Sequence, residues 1–155
     1  MLYAALDVQF RWMAKAPLFK IPVIGHAMKW AGYIPVERDN RKLALQSLFQ
    51  AAEIIRGGRS VIIFPEGTFG REDGSMLPFK KGAFILAKKA GVVIQPVTLK
   101  GSREIAPYVE GNTIQRIYGG DVDAHIHAPL LPEDYADMSP DQISATVRER
   151  IQSAL

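Results

Sequence analysis

The chain alternates between stretches with helical spacing of apolar residues and short, continuously apolar stretches. The clearest helical stretch is 41–56, which Asp39 or Asn40 can cap and which the glycines at 57 and 58 terminate. The apolar residues on its predicted buried face are Leu45, Leu48, Phe49 and Ala52. This pattern predicts an amphipathic helix packed on a core.

A strand, a loop, a helix and a second strand are predicted next. Residues 60–64 form a short apolar run, residues 82–90 have helical spacing and end at Gly91, and residues 92–99 are again strand-like. This order is typical of a right-handed crossover between two strands of one α/β sheet. The chain is therefore predicted to have an α/β fold.

The last third of the chain continues the alternation. We predict strands at 113–118 and 121–128, followed by a helix that begins after Ser139 with Pro140 in its first turn. No internal repeat or low-complexity tract interrupts this order. We expect residues 1–155 to form one domain.

Composition restricts the class of protein. The chain has 155 residues, of which 48% are hydrophobic and 23% charged, a balance that favours a globular core over disorder. The absence of cysteine excludes disulfides, a thiolate nucleophile and a cysteine zinc site, and is compatible with a reducing compartment. Its apolar runs are all shorter than the roughly 18 residues that span a bilayer.

The first forty residues combine aromatic and basic side chains. Three interpretations remain open, in decreasing order of preference: packing on the core, contact with a membrane surface, and binding of single-stranded nucleic acid. Both tryptophans of the chain belong to this segment. The residues concerned are Phe10, Trp12, Phe19, Trp30 and Tyr33 with Arg11, Lys15, Lys20 and Lys29.

A polar, glycine-rich loop follows the predicted strand 60–64, with the sequence IIFPEGTFGREDG at 62–74. Loops at the carboxyl ends of strands are where open α/β sheets bind ligands, and glycines allow the backbone to present N–H groups to an anion. Arg71, Lys80 and Lys81 would add positive charge. The spacing fits neither a Walker loop nor a dinucleotide fingerprint, so a phosphate site and a plain solvated connection are equally compatible with it.

The three histidines give a weaker signal. His26 lies among aromatic residues, which favours a packed or interfacial residue over a replacement base, whereas His125 and His127 are expected on one strand face. Two histidines at this spacing can bind a metal, but the sequence offers no third ligand at suitable spacing, and paired polar residues are common on exposed strand faces. We predict no metal site and no cofactor.

Several motifs together resemble the glycerolipid acyltransferase family, the 1-acyl-sn-glycerol-3-phosphate acyltransferases. The block Phe64-Pro65-Glu66-Gly67-Thr68 is similar to the Phe-Pro-Glu-Gly-Thr-Arg block of that family. The other similar segments, in family order, are Lys15 with Leu18-Phe19-x-x-Pro22 and Gly25, then Gly32 to Arg38, then Pro78 to Ala83, and finally Val93 to Val97.

The resemblance implies transfer of an acyl group from acyl-CoA or acyl carrier protein to the free hydroxyl of a lysophospholipid. In the family, the histidine of a His-x-x-x-x-Asp block is the general base and no metal is needed. The arginine of the second block corresponds to Arg38, whose planar fork suits the acceptor phosphate. Glu66 and Gly67 correspond to the block that shapes the acceptor site, and we expect Glu66 to orient a hydroxyl or the N–H groups of its own loop.

The sequence departs from the family at two points. Phe69 replaces an arginine of the third block, so Arg71 would have to supply that contact. The His-x-x-x-x-Asp block does not occur in the printed sequence, and Asp7 is a poor substitute because it has no histidine five residues before it. We expect either that the natural protein begins upstream of Met1 or that the chain is a non-catalytic relative.

The resemblance thus predicts a mixed, largely parallel sheet flanked by helices. The expected activity is acylation of the sn-2 hydroxyl of 1-acylglycerol-3-phosphate, and the alternative is a lysophospholipid-binding module without turnover. The protein would lie on the cytoplasmic face of a membrane, held by its basic aromatic N-terminal part, and would bind no nucleic acid. The expected acceptor-binding residues are Lys15, Arg38, Glu66, Gly67, Thr68, Arg71, Lys80 and Lys100.

Overall fold

The computed structural model describes residues 8–37, 41–68, 75–107 and 117–155, without the side chains of Arg41, Lys42 and Leu45. The proposed caps Asp39 and Asn40 lie outside these residues, as does most of the predicted strand 113–118. The two residues of that strand that are described, at 117 and 118, have no strand assignment.

A parallel sheet of three strands forms the N-terminal part. It contains β1 (Phe10–Lys15), β2 (Ile34–Val36) and β3 (Ser60–Ile62) in the order β2-β1-β3. Met13 pairs with Ile34 and Trp12 pairs with Ile62, so β1 is the central strand. The sequence pattern did not predict β1, because its alternating aromatic and basic residues also fit an interfacial segment.

Helices connect these parallel strands. A 3₁₀ turn (Ala16–Lys20) and helix α1 (Ile24–Trp30) lead from β1 to β2, and helix α2 (Arg41–Arg56) leads to β3. The bounds of α2 agree with the prediction. α2 packs on β2, β3 and the following helix, which places its apolar face against the sheet.

A second, antiparallel sheet follows helix α3 (Gly82–Ala90). α3 ends at Gly91, whose positive φ of 64° is easiest for glycine. Next come β4 (Val97–Lys100), the short helix α4 (Ser102–Ile105) and β5 (Asp123–Ile126), with β4 and β5 antiparallel. The prediction that β3 and β4 belong to one sheet is wrong for the described strands, since β4 pairs with β5 instead.

The C-terminal helix α5 (Pro140–Gln152) follows a 3₁₀ turn (Pro132–Tyr135). Ser139 caps α5 as predicted: the backbone N–H of Gln142 donates to its hydroxyl, and the Gln142 side chain accepts from the Ser139 N–H at 2.7 Å. This reciprocal arrangement satisfies two N–H groups at the start of the helix.

Two buried clusters meet at α3. Phe84 packs with Leu130, Tyr135, Ile143 and Val147, whereas Leu86 packs with Ile34, Ala51 and Ala52. α3 therefore joins the C-terminal helix to the parallel sheet. The combination of a parallel sheet, flanking helices and an antiparallel strand pair confirms the predicted mixed α/β class.

The length and hydrophobicity of the helices show whether any of them could span a membrane. Within the four described ranges, none of the helices is both long enough and apolar enough to cross a bilayer.

Candidate acceptor-binding site

The three parallel strands bring their carboxyl ends to one edge of the sheet. Lys15 is the last residue of β1, Glu37 follows β2, and Glu66 lies in the turn after β3. Parallel sheets bind ligands at this edge, where chain segments leave the strands and their polar side chains converge. Lys15 and the family-like segments at the ends of β2 and β3 therefore lie at this edge of the sheet.

The residues that follow β3 form a tight turn at 64–67. The Gly67 N–H donates to the Phe64 carbonyl at 3.1 Å, and Gly67 has a φ of +70°, which most other residues adopt only with strain. A Cβ on Gly67 would lie 3.4 Å from Cγ of Lys80, so the lysine stem covers this glycine. The adjacent Thr68 is exposed, as is Lys80.

Glu66 closes the loop onto its returning limb, the segment 75–80. Its Oε2 accepts a hydrogen bond from the Leu77 N–H at 2.8 Å, and the Lys80 N–H donates to the Pro65 carbonyl at 2.7 Å. A backbone N–H that donates to a carboxylate makes a stronger bond than one that donates to a neutral oxygen. Glu66 thus binds an N–H group of its own loop, one of the two roles expected for it.

The C-terminal helix holds the same limb from the other side. Arg148 of α5 donates from Nη1 to the Leu77 carbonyl at 2.5 Å and from Nη2 to the Met76 carbonyl at 3.0 Å. Its guanidinium carbon lies 5.6 Å from the centre of the Phe79 ring. Arg148 does not belong to any motif of the sequence, and no sequence signal connects it with a segment some seventy positions earlier.

The aromatic residues of the N-terminal segment divide between core and surface. Phe10 is buried, and the Trp12 ring stacks on Phe64 with 5.8 Å between ring centres. Trp30, by contrast, is 94% exposed. Core packing is therefore correct for β1, whereas α1 presents an aromatic ring to solvent.

The remaining predicted site residues either lie outside the described residues or belong to the antiparallel sheet. Arg38 and Arg71 lie outside the described residues. Lys100 ends β4 opposite Asp123 in the antiparallel sheet, so it does not belong to the edge formed by the parallel strands. Its proposed contact with the same phosphate has no support in the described contacts.

A small pocket of about 190 Å³ adjoins this edge of the sheet. Ala16 and Pro35 form part of its wall, and Glu37, the residue before Arg38, contributes a carboxylate. Helix α2 supplies the amides of Gln46 and Gln50. The pocket thus offers several polar groups near the end of β2.

The two strand histidines make structural contacts. Thr98 donates its hydroxyl hydrogen to the Ile151 carbonyl at 2.8 Å, so Nε2 of His127, 2.8 Å from the same hydroxyl, is the donor in that pair. Loss of solvent around His127 lowers its pKa, and the nearby His125 and Arg150 lower it further. No group of three or more His, Asp or Glu residues in the described chain is arranged to bind a metal.

A protein-family model described as Acyltransferase matches residues 1–100, well over half of the chain. The chain belongs to the acyltransferase family. The matched residues include the strand-edge blocks described above, from Lys15 through Lys80. Helix α5, with Arg148, lies beyond the matched region.

Individual relatives agree with this assignment. The chain is 36% identical over 145 residues to a chloroplastic 1-acyl-sn-glycerol-3-phosphate acyltransferase of Brassica napus, a match that covers 94% of the chain and 41% of the relative. It is also 36% identical over 126 residues to a chloroplastic enzyme of the same name from Arabidopsis thaliana, covering 81% of the chain and 34% of the relative. The chain thus spans less than half the length of these relatives.

A solved structure is similar over nearly the whole chain. The crystal structure of the 1-acyl-sn-glycerophosphate acyltransferase PlsC of Thermotoga maritima matches with a TM-score of 0.74 and 28% identity. The match covers 93% of this chain and 55% of that one. The family resemblance read from the motifs is therefore confirmed in both sequence and fold.

Proposed function

We propose that this chain forms the acceptor-binding part of a 1-acyl-sn-glycerol-3-phosphate acyltransferase. The proposal rests mainly on one observation: the three parallel strands end at a common edge of the sheet. Lys15, Glu37 and the Glu66 turn lie there. The names of the relatives support the same activity. The reaction would move a fatty acyl group from acyl-CoA or acyl carrier protein to the sn-2 hydroxyl of the acceptor.

Each residue of the site has a role in this proposal. Arg38 would bind the acceptor phosphate through two parallel N–H groups, with Lys15 and Lys80 adding positive charge and Arg71 compensating for Phe69. The Glu66–Leu77 hydrogen bond would keep Gly67 and Thr68 in place beside the acceptor. The hydroxyl would lose its proton to the histidine of a His-x-x-x-x-Asp block, its oxygen would attack the thioester carbonyl, and the thiolate would leave.

The second candidate function is lysophospholipid binding without turnover. It differs from the enzyme in one testable feature, the His-x-x-x-x-Asp block that supplies the general base. The reading frame upstream of the Met1 codon distinguishes the two candidates. An in-frame block there, with acyl transfer to lysophosphatidate by the encoded protein, would support the enzyme, whereas tight binding of lysophosphatidate without transfer would support the binding module.

Replacing Glu66 with glutamine tests the role of the turn. The protein that contains the histidine block should lose roughly five- to tenfold in kcat/KM, because exchanging a charged for a neutral acceptor weakens the bond to Leu77 by about 1 kcal/mol. The thermal unfolding temperature should fall by only about 2–4 °C, which corresponds to the same loss of about 1 kcal/mol, since glutamine preserves size and shape. Normal turnover of Glu66→Gln would contradict the assigned role.

A membrane surface is the proposed partner of the segment 18–30. This segment exposes five apolar side chains and carries two lysines, a combination that suits the boundary between acyl chains and anionic headgroups. Peripheral binding at the cytoplasmic face would bring the acceptor to the site from the bilayer. The side chains are Leu18, Ile21, Val23, Ile24 and Trp30, with Lys20 and Lys29.

The geometry of Val23 supports this use of the segment. Val23 has a φ of 67° and a ψ of −60°, and the Ile24 N–H donates to the Pro22 carbonyl at 2.7 Å, which makes a rare positive-φ γ-turn. A β-branched residue in this conformation is strained. The side chain of Val23 is 79% exposed at this sharp corner of the backbone.

Val23→Gly should weaken binding to vesicles of phosphatidylcholine and phosphatidylglycerol by about tenfold, because burial of a valine side chain contributes about 1.5 kcal/mol. Glycine adopts positive φ freely, so the thermal unfolding temperature should not fall. Val93→Gly is the control, since Val93 is also exposed but lies outside the segment. Equal vesicle binding by wild type and Val23→Gly in a sedimentation assay would show that Val23 does not contact the membrane.

A further inference from the structure

The returning limb of the Glu66 loop is held at one residue, Leu77, by hydrogen bonds to both of its backbone polar groups. The Leu77 N–H donates to Glu66, and the Leu77 carbonyl accepts from Arg148. The same guanidinium also reaches the Met76 carbonyl. Glu66, Leu77 and Arg148 therefore form one continuous chain of hydrogen bonds from the site loop to α5.

We propose that Arg148 is a positioning residue of the acceptor site, acting through Leu77 on Glu66. The inference rests on the proposed function of the Glu66 turn. Arg148 binds the carbonyls of two successive peptides, Met76–Leu77 and Leu77–Pro78, and so restrains the backbone on both sides of Leu77. The N–H of Leu77 then points to the carboxylate of Glu66, which closes the turn containing Gly67.

Arginine is suited to this position for two reasons. Its planar fork carries donors on separate nitrogens in a fixed geometry, so it holds two carbonyls in a defined direction, whereas the compact ammonium of a lysine on its flexible stem does not fix their orientation. Its flat face also lies near the ring of Phe79, which stacks on Phe84 in the buried cluster. The guanidinium is thus held by the core on one side and binds the limb on the other.

The neighbouring contact between α5 and this region has a different character. Lys81 and Asp141 form an ion pair at 2.8 Å, but about two thirds of each side chain is exposed. Exposed pairs contribute little because water and salt screen them. The half-buried Arg148 contacts are consequently the stronger means by which α5 restrains the loop.

The chain contains a matched control on the same helix. Arg150 also donates to two successive backbone carbonyls, those of Ala128 and Pro129, at 2.6 and 3.2 Å. These carbonyls belong to the segment after β5 and do not contact the Glu66 loop. Arg150→Met therefore removes the same type of interaction from α5 without altering the restraint on Leu77.

The experiment measures amide hydrogen exchange at Leu77 and binding of lysophosphatidate by the 155-residue chain. In Arg148→Met we expect exchange at Leu77 to accelerate at least about tenfold and the lysophosphatidate Kd to rise about fivefold, because the opened limb no longer fixes Glu66. Arg150→Met should leave both quantities at wild-type values. Arg148→Lys, which keeps the charge but not the fork, should give changes between wild type and methionine, and it serves as the test if the methionine variant does not fold.

Two outcomes overturn the proposal. Wild-type exchange at Leu77 in the Arg148 variants would show that Arg148 does not hold the limb, and faster exchange with unchanged Kd would show that the limb does not shape the acceptor site. A wild-type chain that fails to bind lysophosphatidate would contradict the proposed function separately. The exchange comparison would still decide whether Arg148 restrains the loop.

Discussion

Replacing Gly25 with alanine should lower the free energy of unfolding by about 3 kcal/mol, the upper part of the range for overpacking. A Cβ at this position would lie 2.2 Å from the carbonyl oxygen and 2.6 Å from the carbonyl carbon of Phe19. Both atoms belong to the backbone of the 3₁₀ turn, so no side-chain rotation can relieve the clash. α1 would have to move away from the turn that links it to β1.

The expected loss can be measured by urea unfolding, with Gly82→Ala as the control. Gly82 is the first residue of α3, and a Cβ there would meet only Cδ2 of Leu48 at 4.0 Å. That substitution should leave stability unchanged or increase it, because alanine favours the helix. Equal unfolding midpoints for wild type and Gly25→Ala would mean that the close approach of α1 and the 3₁₀ turn is not required.

Arg38→Ala should weaken binding of lysophosphatidate by about 1.5 to 3 kcal/mol, or roughly 10- to 150-fold in Kd. The expectation follows from the proposed charge-assisted contact between the guanidinium and the acceptor phosphate. Arg38 follows Glu37 in the sequence, and the arginine to which it corresponds in the family ends the second block. The loss should shrink as salt concentration rises, because ions screen the contact.

Calorimetric titration of lysophosphatidate into both proteins provides the measurement. Arg103→Ala is the matched control, since it removes the same charge from the exposed surface of α4. Arg38→Lys should recover only part of the affinity, because an ammonium cannot bind the phosphate through two parallel N–H groups. An unchanged affinity of Arg38→Ala for lysophosphatidate would show that Arg38 does not bind the acceptor.

Local signals in the sequence predicted α2, α3 and α5, but not the short helices α1 and α4. α2 and α3 have the predicted bounds, and the caps at Gly91 and Ser139 lie where expected. Each of these features depends on residues within a few positions of one another, where spacing and capping chemistry are decisive. The family blocks were also recognised locally, and the family assignment confirmed them.

Pairing between distant segments could not be predicted in the same way. β1 is a strand because β2 and β3 pair with its two edges, and β4 pairs with β5 across residues that lie partly outside the described chain. Within the site, the sequence indicated Glu66 but not its partner Leu77 or the arginine behind it. These contacts arise from tertiary packing, which residue spacing does not encode.

The order β2-β1-β3 also has a consequence for synthesis on the ribosome. β1 is made first but is the central strand, so both its edges remain unpaired until β2 and then β3 have emerged. Such non-local parallel pairing slows folding and exposes strand edges to other nascent chains. Chaperones that shield these edges should therefore increase the yield of folded protein most strongly while the segment up to Ile62 is still being translated.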